Sequence, residues 1–300
     1  MTWSYAKRCL TTYLRDRTSV FYSLLAPLIL LALYIGFLGK MQVDSIIEAI
    51  PQADPADARA ATFAWVAAAL LMVTCMTAPI MVAGQMVSDR VNRRLDDFLV
   101  SPLRAGALIG GEALAAFIYS MMVVAILGLI CCLGLVGLGA ELPSFGGWLK
   151  LLAGICLSAG VFAALSVLLG TLLPSDGAVG GAGAAFSSIA GFLAGVYVPV
   201  GVLGSEMTSL VFVLPFGQSA YLIREALALP SMRQLADRPE VLDELKRVYG
   251  FDLMIGGQAR PGWIAWAGLL LFGLICAVWA VARIRRRFTR PGEVKASDAP

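Results

Sequence analysis

From residue 60 to residue 86 the chain carries no charged side chain, and the same holds from residue 113 to residue 140. A helix needs about 20 apolar residues to cross the hydrocarbon core of a bilayer, and both runs exceed that. Four more stretches qualify. The predicted spans are residues 20–38, 63–86, 113–136, 151–173, 178–202 and 263–282. The composition agrees, with 59% hydrophobic residues and only 14% charged, where a soluble domain has about a quarter charged. Mean hydropathy is +0.81. The sequence therefore predicts an all-α integral membrane protein, one transmembrane domain of six helices over residues 1–300. Its first apolar run is too long for a signal peptide's core and no small-residue cleavage pattern follows it, so it reads as a retained span.

The two uncharged runs flank residues 86–104, MVSDRVNRRLDDFLVSPLR, which hold Arg90, Arg93, Arg94 and Arg104 with Asp89, Asp96 and Asp97. Val91, Leu95, Phe98 and Leu99 recur at helical spacing, and Pro102 closes the pattern because the residue before a proline avoids helical angles. The 87–104 loop thus reads as a short amphipathic helix on the water side of the membrane. Two occupants fit its apolar face: lipid headgroups, or a soluble partner protein.

Orientation follows from basic residues in short loops. With the N-terminus inside, Lys7, Arg8, Arg15, Arg17, Arg90, Arg93, Arg94, Arg104, Arg283, Arg285, Arg286, Arg287, Arg290 and Lys295 are cytoplasmic. The short outer loops hold only Lys40, Arg59 and Lys150. Both termini and the 87–104 loop are then cytoplasmic, with 283–300 a cytoplasmic tail. Residues 1–18 form a basic amphipathic helix with the stripe Trp3, Ala6, Leu10, Tyr13 and Leu14, suited to the membrane interface or to a partner.

The fifth span places Ser187, Gly191 and Gly195 four residues apart, a spacing that lets backbones approach closely. Packing within one subunit, a seam between two subunits, and the wall of a substrate path all fit it. Residues 203–262 are too long for a turn. Their first part is apolar but broken by Pro215 and Gly217, which predicts re-entrant helices. Their second part, 231–249, reads as a charged external helix.

Much chemistry is excluded. The chain has no histidine, no GxxxxGK[ST] phosphate loop, no HExxH and no GxSxG. The spans lack the carboxylates of a proton-driven pump and the arginine ladder of a voltage sensor. Glu112 stands at the predicted start of the third span, where it reads as a helix-capping carboxylate. The six cysteines form no CxxC pair and read as small core residues, so no metal site is expected. A net charge of +3 gives no footing for nucleic acid.

Leu95, Leu99, Val100, Ser101, Pro102 and Leu103 resemble the cytoplasmic loop of ABC-2-type transporter permeases, "E-R-E-x-G-T-L-x-x-L-L-V-S-P-L". GFLAGVYVPV and LPFGQSAYLIREAL resemble that family's "G-x-x-x-P … L-P … Y … x-R". Gly195, Pro199, Leu214, Pro215, Tyr221 and Arg224 fill those places. The family's Gly-Thr is Arg93-Arg94 here, and of its acidic residues only Asp89 stands in place. That departure implies a partner groove richer in acid, or one half of an unequal pair.

The resemblance implies that 87–104 is a coupling helix seated in a separate ATP-binding subunit. Val91, Leu95, Phe98 and Leu99 would be buried there, with Arg90, Arg93 and Arg94 at the rim. It further implies a second permease copy or homologue, with ATP and Mg held by the ATPase and no cofactor on this chain. The expected function is an exporter permease for an apolar or amphipathic cargo in the cell membrane. A partner-binding immunity protein and a lipid-modifying membrane enzyme are the alternatives. The enzyme would need clustered His, Asp or Glu at a membrane face.

Overall fold

The computed structural model describes residues 2–15, 17–92, 105–193, 195, 197–235 and 239–289. Helices α1 (Thr2–Arg15) and α2 (Arg17–Leu33) open the chain, and a π-helical turn, Tyr34–Leu38, carries α2 into α3 (Gly39–Ala49). The long bundle helices are α4 (Pro55–Val91), α5 (Ala105–Gly137), α6 (Phe145–Leu172) and, near the C-terminus, α12 (Trp263–Thr289). Between α6 and α12 lie α7 (Asp176–Leu193), a 3₁₀ turn (Val200–Leu203), α8 (Ser205–Val213), α9 (Pro215–Leu227), α10 (Leu229–Gln234) and α11 (Pro239–Tyr249). A small antiparallel hairpin follows, β1 (Leu253–Ile255) with β2 (Gln258–Arg260). The chain is an all-α integral membrane protein apart from that hairpin.

The bundle is built around α4, which packs against α5, α6, α7, α9 and α3. Its buried face is rich in alanine (Ala60, Ala61, Ala64, Ala67, Ala68, Ala69), and small side chains let neighbouring helices come close. At the periphery α12 exposes Leu270, Leu271, Leu274, Ile275, Val278 and Trp279, a face suited to lipid.

Local signals fix the ends. Asp54 caps α4 by accepting from the Ala56 amide at 2.8 Å, with Pro55 at the first helical position. Ser144 caps α6 through the Gly147 amide. At the end of α5, Gly139 has φ +69°, its amide bonds Val136 O, and the Ala140 amide bonds Leu135 O. These are the paired bonds of a left-handed helix stop, which favours glycine.

The sequence windows mark where charges are missing, and the helices run past them. Window 63–86 lies inside α4, and 113–136 inside α5. The expected connector 39–61 is largely helical, since α3 continues the first span. Gly39 is required where the π turn ends, because a Cβ there would stand 2.5 Å from Tyr34 O.

The fifth window, 178–202, is a correction. Its helix α7 stops at Leu193, Gly195 turns with φ +73°, and Pro199 leads into the 3₁₀ turn. Among the described residues five helices are long and apolar enough to cross a membrane, and six if the bent pair α8–α9 counts as one span. That pair bends by 91° at Leu214–Pro215, the break that Pro215 and Gly217 announced. A Cβ on Gly217 would collide with Val211 O. The expected external helix 231–249 is two, α10 and α11. Arg93, Arg94, Leu95, Phe98, Leu99 and Pro102, and with them most of the predicted coupling helix, lie outside the described residues.

Candidate functional site

A cleft of about 760 Å³ opens between α2, α4 and α7. Pro27 and Leu30 line it from α2, Thr74 and Met81 from α4, and Ser187 and Gly191 from α7. Among the described residues lining it none is charged. Thr74 and Thr77 direct their hydroxyls to the carbonyls of Leu70 and Val73, so they offer little polarity. The volume falls in the range of sites for drug-sized ligands, about 300–1,000 Å³. Tyr197 closes over Gly191, where a Cβ would stand 2.8 Å from the ring.

Ser187 and Gly191 therefore meet at the cleft, while Gly195 belongs elsewhere. Its neighbour is Arg224, and a Cβ on Gly195 would lie 3.1 Å from Arg224 Nη2. Arg224 is fully buried on α9. Its Nη1 donates to Gly250 O at 3.2 Å, and its guanidinium faces the Trp65 indole at 5.7 Å. Trp65, fully buried on α4, donates Nε1–H to Tyr249 O at 3.1 Å and meets the Tyr249 ring edge-on at 5.4 Å. Burial pushes the Tyr249 phenol up to about 12, so the phenol stays neutral.

One turn before Arg224, Tyr221 stands edge-on to Phe212 of α8 at 6.4 Å. Its hydroxyl lies where a Cβ on Gly262 would come within 2.8 Å. Pro215 starts α9 and Pro199 starts the 3₁₀ turn. Of the motif positions, Gly195, Tyr221 and Arg224 thus fall in one neighbourhood, while Pro199 and Pro215 stand at the starts of elements that lead to it. That neighbourhood ties α9 to α4, to the turn after α11 and to the turn before α12. Sequence reasoning missed Trp65, Tyr249 and Gly250. The available signal was the glycine after an amphipathic helical pattern: Gly250 has φ +72° and the Phe251 amide bonds Lys246 O, another glycine helix stop.

At the other end of α4, Arg90 is not at a free rim. Its Nη1 donates to Gly170 O at 3.2 Å and Thr171 O at 3.5 Å, and its Nη2 to Leu173 O. Arg283 Nε adds a bond to Thr171 O at 3.4 Å. The last carbonyls of a helix have no amide partners, and a cation there also suits the helix dipole. Two arginines therefore cap α6, one from the helix that enters the 87–104 loop and one from α12. Val91 ends α4 and is exposed.

Beside this cap lies α1. Its buried face is Tyr5, Ala6, Cys9 and Tyr13, whereas Trp3 and Leu14 of the predicted stripe are exposed. Gly110 and Gly111 give it room, since a Cβ on Gly111 would stand 2.8 Å from Tyr5 Cδ1 and 3.0 Å from Thr2 O. Glu112 anchors it. Cys9 Sγ donates to Glu112 Oε2 at 3.2 Å, and Tyr13 Oη donates to Glu112 Oε1 at 3.2 Å and to Val82 O at 2.7 Å. Burial holds the Cys9 thiol and the Tyr13 phenol above their ordinary pKa values, so both remain donors. The capping role expected for Glu112 is corrected: α5 begins at Ala105, about two turns earlier. Arg8 and Asp89 add an ion pair at 3.4 Å between α1 and α4.

All six cysteines are free, and among the described residues no group of three or more His, Cys, Asp or Glu could hold a metal. No curated protein matches the chain. A family model described as ABC-2 type transporter matches residues 2–227, which spans the long helices α4 to α6, the cleft and α9. This chain belongs to the ABC-2 type transporter family and is a multi-pass permease subunit of an ABC transporter.

Proposed function

We propose that the chain exports an apolar or amphipathic cargo such as a drug, lipid or peptide, driven by a separate ATP-binding subunit that docks on residues 87–104. The observation that carries the cargo class is the uncharged 760 Å³ cleft between α2, α4 and α7. The ATPase holds ATP and Mg, and its closure pushes the loop and biases the bundle between two packings. The Arg90 and Arg283 cap on α6 supports that route, because Arg90 bonds the end of α4 to α6 and Arg283 bonds α12 to the same turn of α6.

Two copies, identical or related, form the working unit in the cell membrane, with both termini cytoplasmic. The exposed small residues Gly177, Gly181 and Ser188 of α7 support a seam on that face. Gly181 has nothing within 4 Å of a Cβ position.

The experiment is reconstitution of the chain with its ATPase in vesicles, with an amphipathic fluorescent dye as cargo. Ser187→Trp, which fills the cleft, should abolish dye movement while the ATPase still copurifies. Undiminished movement by the variant would refute the cleft as the path.

A further inference from the structure

At the end of the bundle away from Arg90, α3 packs against the first turns of α4 and leaves a second cavity of about 350 Å³. Ile35 and Phe63 belong to its apolar wall, and Lys40, Asp44 and Arg59 are its exposed charged residues. Among the described residues neither Lys40 nor Arg59 forms an ion pair. The two cations and one carboxylate leave a net charge of one positive.

Thr62 also lines this cavity. It is 3% exposed, and its Oγ1 is buried without a hydrogen-bond partner. On the same helix Thr74 and Thr77 bond back to the carbonyl four residues earlier, at 2.8 and 3.0 Å. Thr62 does not use that ordinary solution. A buried hydroxyl left unmet is destabilising until something supplies a partner.

We propose that this cavity binds one phospholipid with a singly negative headgroup, taken from the leaflet at that end of the bundle. The phosphate lies on Lys40 and Arg59. The glycerol ester region satisfies Thr62 Oγ1, and an acyl chain runs along Phe63 and Ile35 into the hydrocarbon. Ile35 is 68% exposed, so the apolar wall continues outward toward lipid and favours a lipid over a soluble phosphate. The single positive charge of the site matches one phosphodiester.

The site is separate from the cleft and from the 87–104 loop, and its test needs neither ATPase nor cargo. The full chain is purified in detergent and exposed to equal amounts of phosphatidylglycerol and phosphatidylcholine with the same acyl chains. Retained lipid is counted by native mass spectrometry. The wild-type chain should keep one phosphatidylglycerol in preference. Near a membrane surface each basic residue attracts anionic lipid, and Lys40→Gln with Arg59→Gln should lower its retention by about fivefold or more. Phosphatidylcholine retention should not change.

Thr62→Val should lower phosphatidylglycerol retention as well. Lys150→Gln, which removes an exposed cation outside the cavity, should not. Helix content and melting temperature of each variant report its folding. Undiminished phosphatidylglycerol retention by the double variant would overturn the proposal, as would an equal loss in Lys150→Gln. Displacement of the lipid by millimolar glycerol 1-phosphate would instead make the ligand a soluble phosphate and overturn the lipid assignment.

Discussion

The guanidinium of Arg224 faces the indole of Trp65 at 5.7 Å, and both side chains are fully buried. Arginine is weakly hydrated for a cation and stacks on aromatic faces, which makes this burial tolerable. The pair joins α9 to α4 on one side. Through Gly250 O and Tyr249 O it also joins both to the segment after α11. The segment after α11 is thereby fastened to the central helix by the Arg224 cation and two backbone carbonyls.

Removing that cation should be costly. Arg224→Met leaves Gly250 O without its donor and the indole without its cation. The expected loss is about 1–3 kcal/mol for the unmet carbonyl alone. Arg224→Lys should not rescue, since an ammonium offers no planar face to stack and reaches the carbonyl differently. Thermal unfolding in detergent checks both. A lysine variant that melts with the wild type would show that charge alone matters here.

Gly250 should tolerate no side chain. Its φ of +72° already disfavours one, and a Cβ would stand 2.6 Å from Arg224 Nη1. Backbone strain of this kind is worth roughly 1–3 kcal/mol. Gly250→Ala should therefore lower the melting temperature, whereas Gly256→Ala should do less, because a Cβ at Gly256 meets nothing within 4 Å although its φ is +64°. Equal losses would assign the whole effect to φ and none to the arginine.

What was legible in the sequence follows from how far each signal reaches. Five of the six predicted spans were legible because hydrocarbon excludes charge along a continuous run. The window 178–202 is equally uncharged, but its helix ends at Leu193 before the turn at Gly195. The bend at Pro215 was legible because proline acts on its own neighbours. The hairpin had a local signal that went unread: Gly256-Gly257 stands between Ile255 and Gln258, which pair, and both glycines have positive φ.

The face of α1 was legible only in part: Ala6 and Tyr13 of the predicted stripe are buried and Leu10 is half-buried against the core. Its stripe suggested Trp3 and Leu14, but Tyr5 and Cys9 are buried because Gly111 and Glu112, about a hundred residues away, receive them. The role of Arg90 was hidden in the same way, since its carbonyl partners at residues 170–173 have no sequence signature.

The anchoring of α1 gives a third prediction. Glu112→Leu removes the acceptor of Cys9 and one acceptor of Tyr13, which keeps Val82 O. Docking of α1 should weaken by about 1–3 kcal/mol. Hydrogen exchange over residues 2–15 should rise, while exchange along α4 stays low. Glu112→Gln keeps an acceptor and should change exchange less. Unchanged exchange in Glu112→Leu would leave the anchoring to the Gly110–Gly111 contact, the Tyr13–Val82 bond and the Arg8–Asp89 pair.

Transmission from the loop to the bundle separates two groups of residues. Phe98 belongs to the apolar stripe proposed to enter the ATPase, and burying one such side chain is worth roughly 1.5–3 kcal/mol. Phe98→Ala should therefore weaken ATPase association by about tenfold or more. Arg90 sits on the last carbonyls of α6, and its proposed part is to carry motion from α4 to α6 rather than to hold the ATPase. Arg90→Gln should leave association nearly intact but lower the cargo-stimulated part of ATP hydrolysis, because the end of α4 no longer moves α6. The two variants should thus separate in a pull-down with the ATPase and in a hydrolysis assay with and without cargo. If Arg90→Gln releases the ATPase as Phe98→Ala does, Arg90 belongs to the docking rim after all. If Phe98→Ala keeps the ATPase but frees the loop from lipid vesicles, the apolar stripe rests on headgroups and the docking proposal fails.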